Sequence, residues 1–446
     1  MFKALEKLLM PLADKLGKNK LLIAIRDGFL ISTPLIIVGS IFILIANFPI
    51  PGWSEFWAKI FGEGWESYLS TVSRATFDIV SLLTVVGVGF AYAREIGADR
   101  IQGAVVALVS FVIIMPTSIP YVGEDGPSTL SGISFDFVGT KGIFLAMFIG
   151  ILSVKIFHMV YKRGWTIKLP KGVPPAVFDS FAALIPSAIV MFFFFLIGII
   201  FKLTPFESAH NFIYTVLQAP LMGVGNSLGA QIIYTFLNSL FWFFGINGPA
   251  VTNSVFSPIF RTLSIENLAA FEAGKTLPHI YTGQFVDFFQ TFGGGGSTLS
   301  LVILMITICK SQRIKQLGKL SIVPGIFGIN EPIIFGLPIV LNPVLIIPFV
   351  LVPIMNTILA GIAFETGLFP YTNGVNLPWS TPPIFSGYLV TGSFVAAIFQ
   401  VVLIILGCLV YYPFIKILDK QYLKDESSQI TEDELEDISF DDLSSL

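Results

Sequence analysis

Nine apolar stretches, most of them long enough to cross about 30 Å of hydrocarbon, limit what this chain can become more than any other feature. They fall roughly at residues 28–48, 77–93, 102–118, 142–161, 181–203, 226–246, 297–309, 338–362 and 389–415. In lipid, a spanning segment must satisfy its own backbone amides, so stretches of this kind read as helices of an all-α polytopic membrane protein. Charged residues make up 12% of the 446 positions, about half the share usual in soluble domains, which weighs heavily against a soluble enzyme.

Orientation follows from the basic residues. They cluster at Lys15–Arg26, Arg94–Arg100, Lys162–Lys171, Lys310–Lys319 and Lys416–Lys424. The positive-inside rule puts these loops and both termini in the cytosol. The loops 49–75, 119–140 and 204–225 are poor in Lys and Arg, and the first carries Trp53, Trp57 and Trp65, as an outer interface does. Two cytosolic termini need an even number of spans, so about ten helices are expected, with the missing crossing in 247–296 or 320–337.

The chain reads as four regions. Residues 1–20 space Phe2, Leu5, Leu8, Leu9, Leu12 and Leu16 at helical intervals between lysines, the pattern of an interfacial amphipathic helix. Residues 21–225 read as an N-terminal membrane part, and 226–418 as a second membrane part with broken helices. Residues 419–446 read as an acidic, disordered cytosolic tail, with nine carboxylates and no Lys or Arg from Asp425 onward. Cys309 and Cys408 stand apart in apolar runs, and His158, His210 and His279 form no pair at ligand spacing. No metal, cofactor or nucleic-acid partner is expected.

The chemistry points to the breaks. Phe244-Gly245-Ile246-Asn247-Gly248-Pro249 and Pro324-Gly325-Ile326-Phe327-Gly328-Ile329-Asn330-Glu331-Pro332 are apolar yet full of helix breakers. Irregular backbone at membrane depth survives where protein buries it or where it lines a wet cavity, so these segments read as two re-entrant hairpins or unwound helices around a ligand. Kinked packing helices are the plainer alternative. Glu331 is the sharpest residue, because a carboxylate mid-helix in a bilayer costs about 2.5 to 3.5 kcal/mol. Pro332 suits the first turn of a half-helix whose positive end would steady it. Gly293-Gly294-Gly295-Gly296 offers close backbone approach to a ligand or a neighbouring helix, and lacks the lysine of a nucleotide-binding loop. Trp242 and Trp379 flank the breaks, where flat aromatic faces would stack on a sugar.

With Ala24-Ile25-Arg26-Asp27-Gly28, Ile167-Lys168-Leu169-Pro170, Trp242-Phe243-Phe244-Gly245-Ile246, Gly328-Ile329-Asn330-Glu331-Pro332-Ile333 and Tyr411-Tyr412-Pro413-Phe414, the chain resembles the lactose/cellobiose family of sugar-translocating C components of enzyme II of the phosphoenolpyruvate-dependent phosphotransferase system. The resemblance covers nearly the whole length. It implies a homodimer in the bilayer that carries a sugar across by movement of a rigid transport part. A separate cytosolic B component, charged by an A component upstream, would pass a phosphoryl group from its cysteine to the sugar. The chain would then be the membrane component of a sugar phosphotransferase rather than the phosphoryl donor.

The resemblance also assigns residues. Glu331 matches the family carboxylate that bonds the hydroxyl to be phosphorylated and helps remove its proton, with Asn330 beside it as a substrate-binding residue; Trp242, Trp379 and His279 match sugar contacts. Asn247 stands where the family usually carries His in Phe-Gly-Ile-His-Gly; an amide can bind a hydroxyl but cannot titrate. The expected substrate is a β-linked disaccharide, with cellobiose or a related β-glucoside favoured over diacetylchitobiose and lactose. An ion-coupled secondary transporter or uniporter, with Glu331 as its proton site, is the competing function.

Overall fold

Each of the nine apolar stretches is helical over most of its length in the computed structural model, which describes residues 11, 15–123, 126–170, 174–337, 339–340 and 342–443. Among them, six helices are long and apolar enough to cross a membrane: Lys20–Ala46, Glu66–Ile96, Thr140–Lys162, Val177–Lys202, Ile346–Glu365 and Phe394–Ser427. A seventh candidate is the pair Gly283–Ser297 and Leu299–Thr307, bent by 56° at its break. Arg100–Ile114 and Leu228–Phe243 are apolar but shorter. Gly248–Glu272 forms a further helix of 25 residues in the region searched for a missing crossing. The interfacial helix expected near the N-terminus lies mostly outside the described residues.

The all-α expectation misses one element. Ser118–Gly123 and Gly126–Ser131 pair antiparallel, with Ser118 opposite Ser131. This hairpin sits in a loop expected to face outward, where it satisfies its backbone by strand pairing rather than by helix.

The chain divides into two compact units. The first comprises the residues up to Ser227, with Ala250–Gly283 and Thr372–Leu377; the second comprises Leu228–Pro249, Gln284–Tyr371 and Pro378 onward. Sequence alone gives one boundary at 225/226 and no return of the chain to the first unit.

In the first unit, the Lys20–Ala46 helix starts where the Asn19 side chain accepts the Leu21 and Leu22 amides at 2.9 and 3.3 Å. It crosses the Val80–Ile96 helix almost backbone to backbone. A Cβ on Gly28 would stand 2.6 Å from the Val88 nitrogen, and one on Gly87 would strike the Gly28 carbonyl. Beside this crossing Asp27 pairs with Arg94 and with Arg26. The Arg26-Asp27-Gly28 motif therefore combines an ion pair with a close helix contact of the small-residue kind.

The second unit packs Leu301, Met305, Phe349, Val352, Tyr411 and Ile415 into one core. Two carboxylates of its last helix cap the Gln312–Ile326 helix. Asp419 accepts the Lys310 amide at 2.9 and 3.0 Å and the Ser311 amide at 2.9 Å. Glu426 accepts the Ser311 hydroxyl at 2.6 Å and the Arg313 amide at 3.1 Å. Anions are favoured at a helix N-terminus, which accounts for the pairing. The last helix itself runs from Phe394 to Leu443. The stretch that composition marks as a disordered tail is thus helical in its backbone, since a helix already nucleated gains one hydrogen bond per added residue.

Gly28→Val should part the Lys20–Ala46 and Val80–Ile96 helices. We expect a loss of about 1 to 3 kcal/mol, seen as a lowered melting temperature in detergent. An unchanged melting temperature would rule out the close crossing.

Candidate functional site

Two helices of the second unit stop in the same way, and those stops position the site. The Leu228–Phe243 helix ends at Gly245 (φ 75°), where the Ile246 amide returns to the Phe241 carbonyl and the Gly245 amide to Trp242, both at 3.0 Å. The Gln312–Ile326 helix ends at Gly328 (φ 82°), where Ile329 returns to Pro324 at 3.0 Å and Gly328 to Gly325 at 3.1 Å. Both are Schellman stops, and a left-handed residue without a Cβ is what they require. The sequence behind them is duplicated: Phe244-Gly245-Ile246-Asn247-Gly248-Pro249 and Phe327-Gly328-Ile329-Asn330-Glu331-Pro332 share the pattern Phe-Gly-Ile-Asn-x-Pro. Each copy opens a new helix, at Gly248 and at Glu331.

The four-glycine loop is the hub between the two stops. Asn330 is buried, and its side-chain amide donates to the Gly295 carbonyl at 2.8 Å. A Cβ on Gly294 would come within 2.7 Å of Asn330 and of the Gly328 carbonyl, and one on Gly295 within 2.6 Å of the Trp242 ring. Only glycine permits this approach. The buried Tyr411 hydroxyl holds the loop from another side, donating to the Gly296 carbonyl at 2.7 Å. Asn356 anchors its flanks, donating to the Gln290 carbonyl at 3.1 Å and to the Ser297 hydroxyl at 3.2 Å.

A small open cleft lies beside this loop, lined among others by Asp287, Thr291, Gly293, Gly328, Trp379 and Ser386. Trp379 lies over Gly328, its Cζ3 3.2 Å from where a Cβ would stand, and is 61% exposed, so a broad aromatic surface is free to stack. Hydroxyl and carboxylate groups beside an aromatic plane suit a sugar. Buried Gln400 fixes the wall of this cleft. Its carbonyl oxygen accepts the Ile384 and Gly387 amides at 2.6 and 3.1 Å, while its amide donates to the Phe288 carbonyl at 2.8 Å and the Ser386 hydroxyl at 3.0 Å. Ile384 is held at φ 75°, a costly conformation for a β-branched residue, and the Gln400 bond helps maintain it.

Glu331 is the first residue of the Glu331–Gly336 helix, with Pro332 in the first turn as expected, and it is exposed. Asn247 is likewise exposed, two residues past the Gly245 stop. Trp242, Asn247, Asn330, Glu331 and Trp379 all belong to the second unit, whereas His279 belongs to the first. There the Asn226 carbonyl oxygen accepts the Tyr281 amide at 3.1 Å, which turns the Asn226 NH₂ toward His279 Nδ1 at 3.2 Å. Nδ1 must then accept, so Nε2 carries the proton that it gives to Glu266 at 2.6 Å. Asn267 clasps the His279 backbone at both its amide, 2.9 Å, and its carbonyl, 2.7 Å.

Sequence reasoning passed over Asp287, Asn356 and Gln400. Polar side chains inside otherwise apolar helices were the available signal for the last two, since such residues are rare at membrane depth and need a partner.

Comparison with known proteins assigns the ancestry of this arrangement. Residues 26–353 match the family model described as phosphotransferase system, EIIC. The chain belongs to the EIIC family. It is similar to the lichenan permease IIC component of Bacillus subtilis (strain 168), 41% identical over 427 residues that cover 95% of this chain and 94% of that one. It is also similar to the cellobiose-specific EIIC component of Geobacillus stearothermophilus, 40% identical over 435 residues and 96% of each chain. Among solved structures, the crystal structure of the IIC component of an N,N'-diacetylchitobiose-specific phosphotransferase system superposes with a TM-score of 0.93 at 41% identity, covering 95% of this chain and 99% of that one. The family resemblance carried by the Asn-Glu-Pro motif is therefore the right one, and this EIIC chain is a multi-pass membrane component of sugar transport.

Asn330→Asp replaces the donor to Gly295 by an acceptor of the same shape. Two acceptors would then face each other in a buried place. We expect a loss of about 1 to 3 kcal/mol in stability, measured by thermal unfolding in detergent, and a variant as stable as the parent would rule out the latch.

Proposed function

We propose that this chain imports a β-linked disaccharide, cellobiose or a related β-glucoside, and presents it to a separate phosphocysteine-bearing B component that phosphorylates it. The observation that carries this reading is the Asn-Glu-Pro turn. Asn330 is spent on the Gly295 carbonyl, so its neighbour Glu331 is left exposed at the start of a helix. Trp379 packs over Gly328, three residues before Glu331, and supplies an aromatic plane in the adjoining cleft. In this reading Glu331 accepts a bond from the reacting hydroxyl and helps to remove its proton, and Trp242, Trp379 and Asn247 contact the sugar. The cellobiose and lichenan relatives support a β-glucoside as substrate.

The protein works as a homodimer in the bacterial inner membrane, with residues 21–225 as scaffold, 226–418 as transport part, and both termini in the cytosol. Support for the C-terminal placement comes from the bonds between Lys310–Arg313 and Asp419–Glu426, which join two basic clusters that the positive-inside rule assigns to the same side.

Vesicles supplied with phosphoenolpyruvate and the soluble phosphotransfer proteins should take up labelled cellobiose and release it inside as a phosphate. Glu331→Gln should abolish phosphorylation and weaken sugar binding by about 1.5 to 3 kcal/mol. Uptake driven by a pH gradient, with no need of phosphoenolpyruvate, would instead favour an ion-coupled transporter.

Asn247→His tests the position where this chain leaves the family pattern. Sugar affinity should stay within about tenfold of the parent. The phosphorylation rate should gain a pH dependence between roughly pH 5 and 8, where an imidazole changes charge. A pH profile identical to that of the parent would remove this residue from the reacting hydroxyl.

A further inference from the structure

The hydrogen-bonding capacity of the four-glycine loop is spent on one side only. Each of its carbonyls already holds a donor. Gly293 accepts the Thr298 hydroxyl at 2.5 Å, Gly294 the Ser297 amide at 3.0 Å, Gly295 the Asn330 side chain at 2.8 Å and Gly296 the Tyr411 hydroxyl at 2.7 Å. Its amides are the reverse case. Among the described residues, no acceptor pairs with the N–H of Gly293, Gly294, Gly295 or Gly296. The neighbouring flank differs, since the Phe292 amide is taken by the Ser297 hydroxyl at 3.0 Å.

A second, independent donor stands beside them. Trp242 is 8% exposed, and its indole N–H is buried without a partner. That nitrogen lies 2.8 Å from where a Cβ on Gly295 would stand, so it borders the loop directly. Buried donors in native proteins are almost always paired, and an unspent group next to four others calls for a ligand.

The chemistry of that ligand follows from the imbalance. A sugar hydroxyl both donates and accepts, and finds both kinds of partner in the cleft lined by Asp287, Thr291 and Ser386. The loop with Trp242 offers donors that have no partner beside carbonyls that already have one, an excess of donors that suits a group that only accepts. Phosphate oxygens are of that kind, and backbone amides are among the groups that bind them. We propose that the Gly293–Gly296 loop and the Trp242 indole N–H form the subsite for the phosphoryl oxygens of the phosphorylated disaccharide, an inference that rests on the group-translocation function proposed above. Asn330 ties the loop to the residue preceding Glu331, so a hydroxyl held by Glu331 would become a phosphate close to these donors. None of the residues named at the loop or the cleft is basic. The donors are neutral, and their grip suits a product that must leave.

The test compares cellobiose with cellobiose phosphorylated on its non-reducing-end primary hydroxyl, using the full chain in detergent. Trp242→Phe keeps an aromatic ring and removes the donor. Its affinity for the phosphorylated sugar should fall about tenfold more than its affinity for cellobiose, the size expected for a hydrogen bond to a charged group. Equal losses for the two ligands would overturn the subsite. A measurement on the unaltered protein guards against a variant that misfolds. With ¹⁵N-labelled tryptophan, one of the six indole N–H resonances should move further downfield with the phosphorylated sugar than with cellobiose. If cellobiose binds and no indole resonance responds to the added phosphate, the subsite alone is wrong. If neither sugar binds, the proposed substrate falls with it.

Discussion

Backbone that leaves the helical path inside an apolar unit must have its carbonyls answered by something other than the next turn. In this EIIC chain the loop Gly293–Gly296 makes that demand, and the second unit is arranged to meet it. Asn330, Tyr411 and Thr298 each send a donor to one of its carbonyls, and Asn356 secures the residues on either side. Those same bonds decide where the functional groups stand. Because Asn330 is latched to Gly295, Glu331 begins its short helix there, and because the loop has no side chains, Trp242 and Gly328 close on it from different helices.

The duplicated Phe-Gly-Ile-Asn-x-Pro segment shows how one local device serves two ends. In both copies glycine ends a helix in the left-handed conformation and proline enters the next element within its first turn. The copies differ in the helix that each one opens. One leads into 25 helical residues, Gly248–Glu272, while the other leads into six, Glu331–Gly336. The short copy keeps a carboxylate at its first helical residue, and the long copy has Gly248 packed against Asn238 at the equivalent place.

Hydropathy made the helices legible in the sequence, because the bilayer enforces length and composition directly. The helix breaks and Glu331 were legible for a related reason, since breakers and a carboxylate are expensive in that setting. The supports of the site were not. Tyr411 reaches Gly296 across 115 positions and Gln400 reaches Phe288 across 112, and no local pattern encodes a partner at that distance. The return of Ala250–Gly283 to the first unit, which carries His279 with it, is likewise a matter of long-range packing. The Ser118–Ser131 hairpin is hidden in the sequence because its strands lack the alternation by which half-buried strands are recognised.

The carboxylates of Asp419 and Glu426 give the site a place in time. They cap the Gln312–Ile326 helix, at whose far end stand Gly328 and the Asn-Glu-Pro turn, yet they come after the amides they serve by 109 and 113 positions. Closing so long a loop is slow to pay back in entropy, and it cannot begin until both partners exist. During synthesis the Lys310, Ser311 and Arg313 amides must therefore wait for these carboxylates while the whole Ile346–Glu365 span and most of the last helix are made. The cap is completed late, only once the ribosome has moved past Glu426, so a chain released early would carry Trp242, Asn330, Glu331 and Trp379 without the carboxylates that hold the start of this helix.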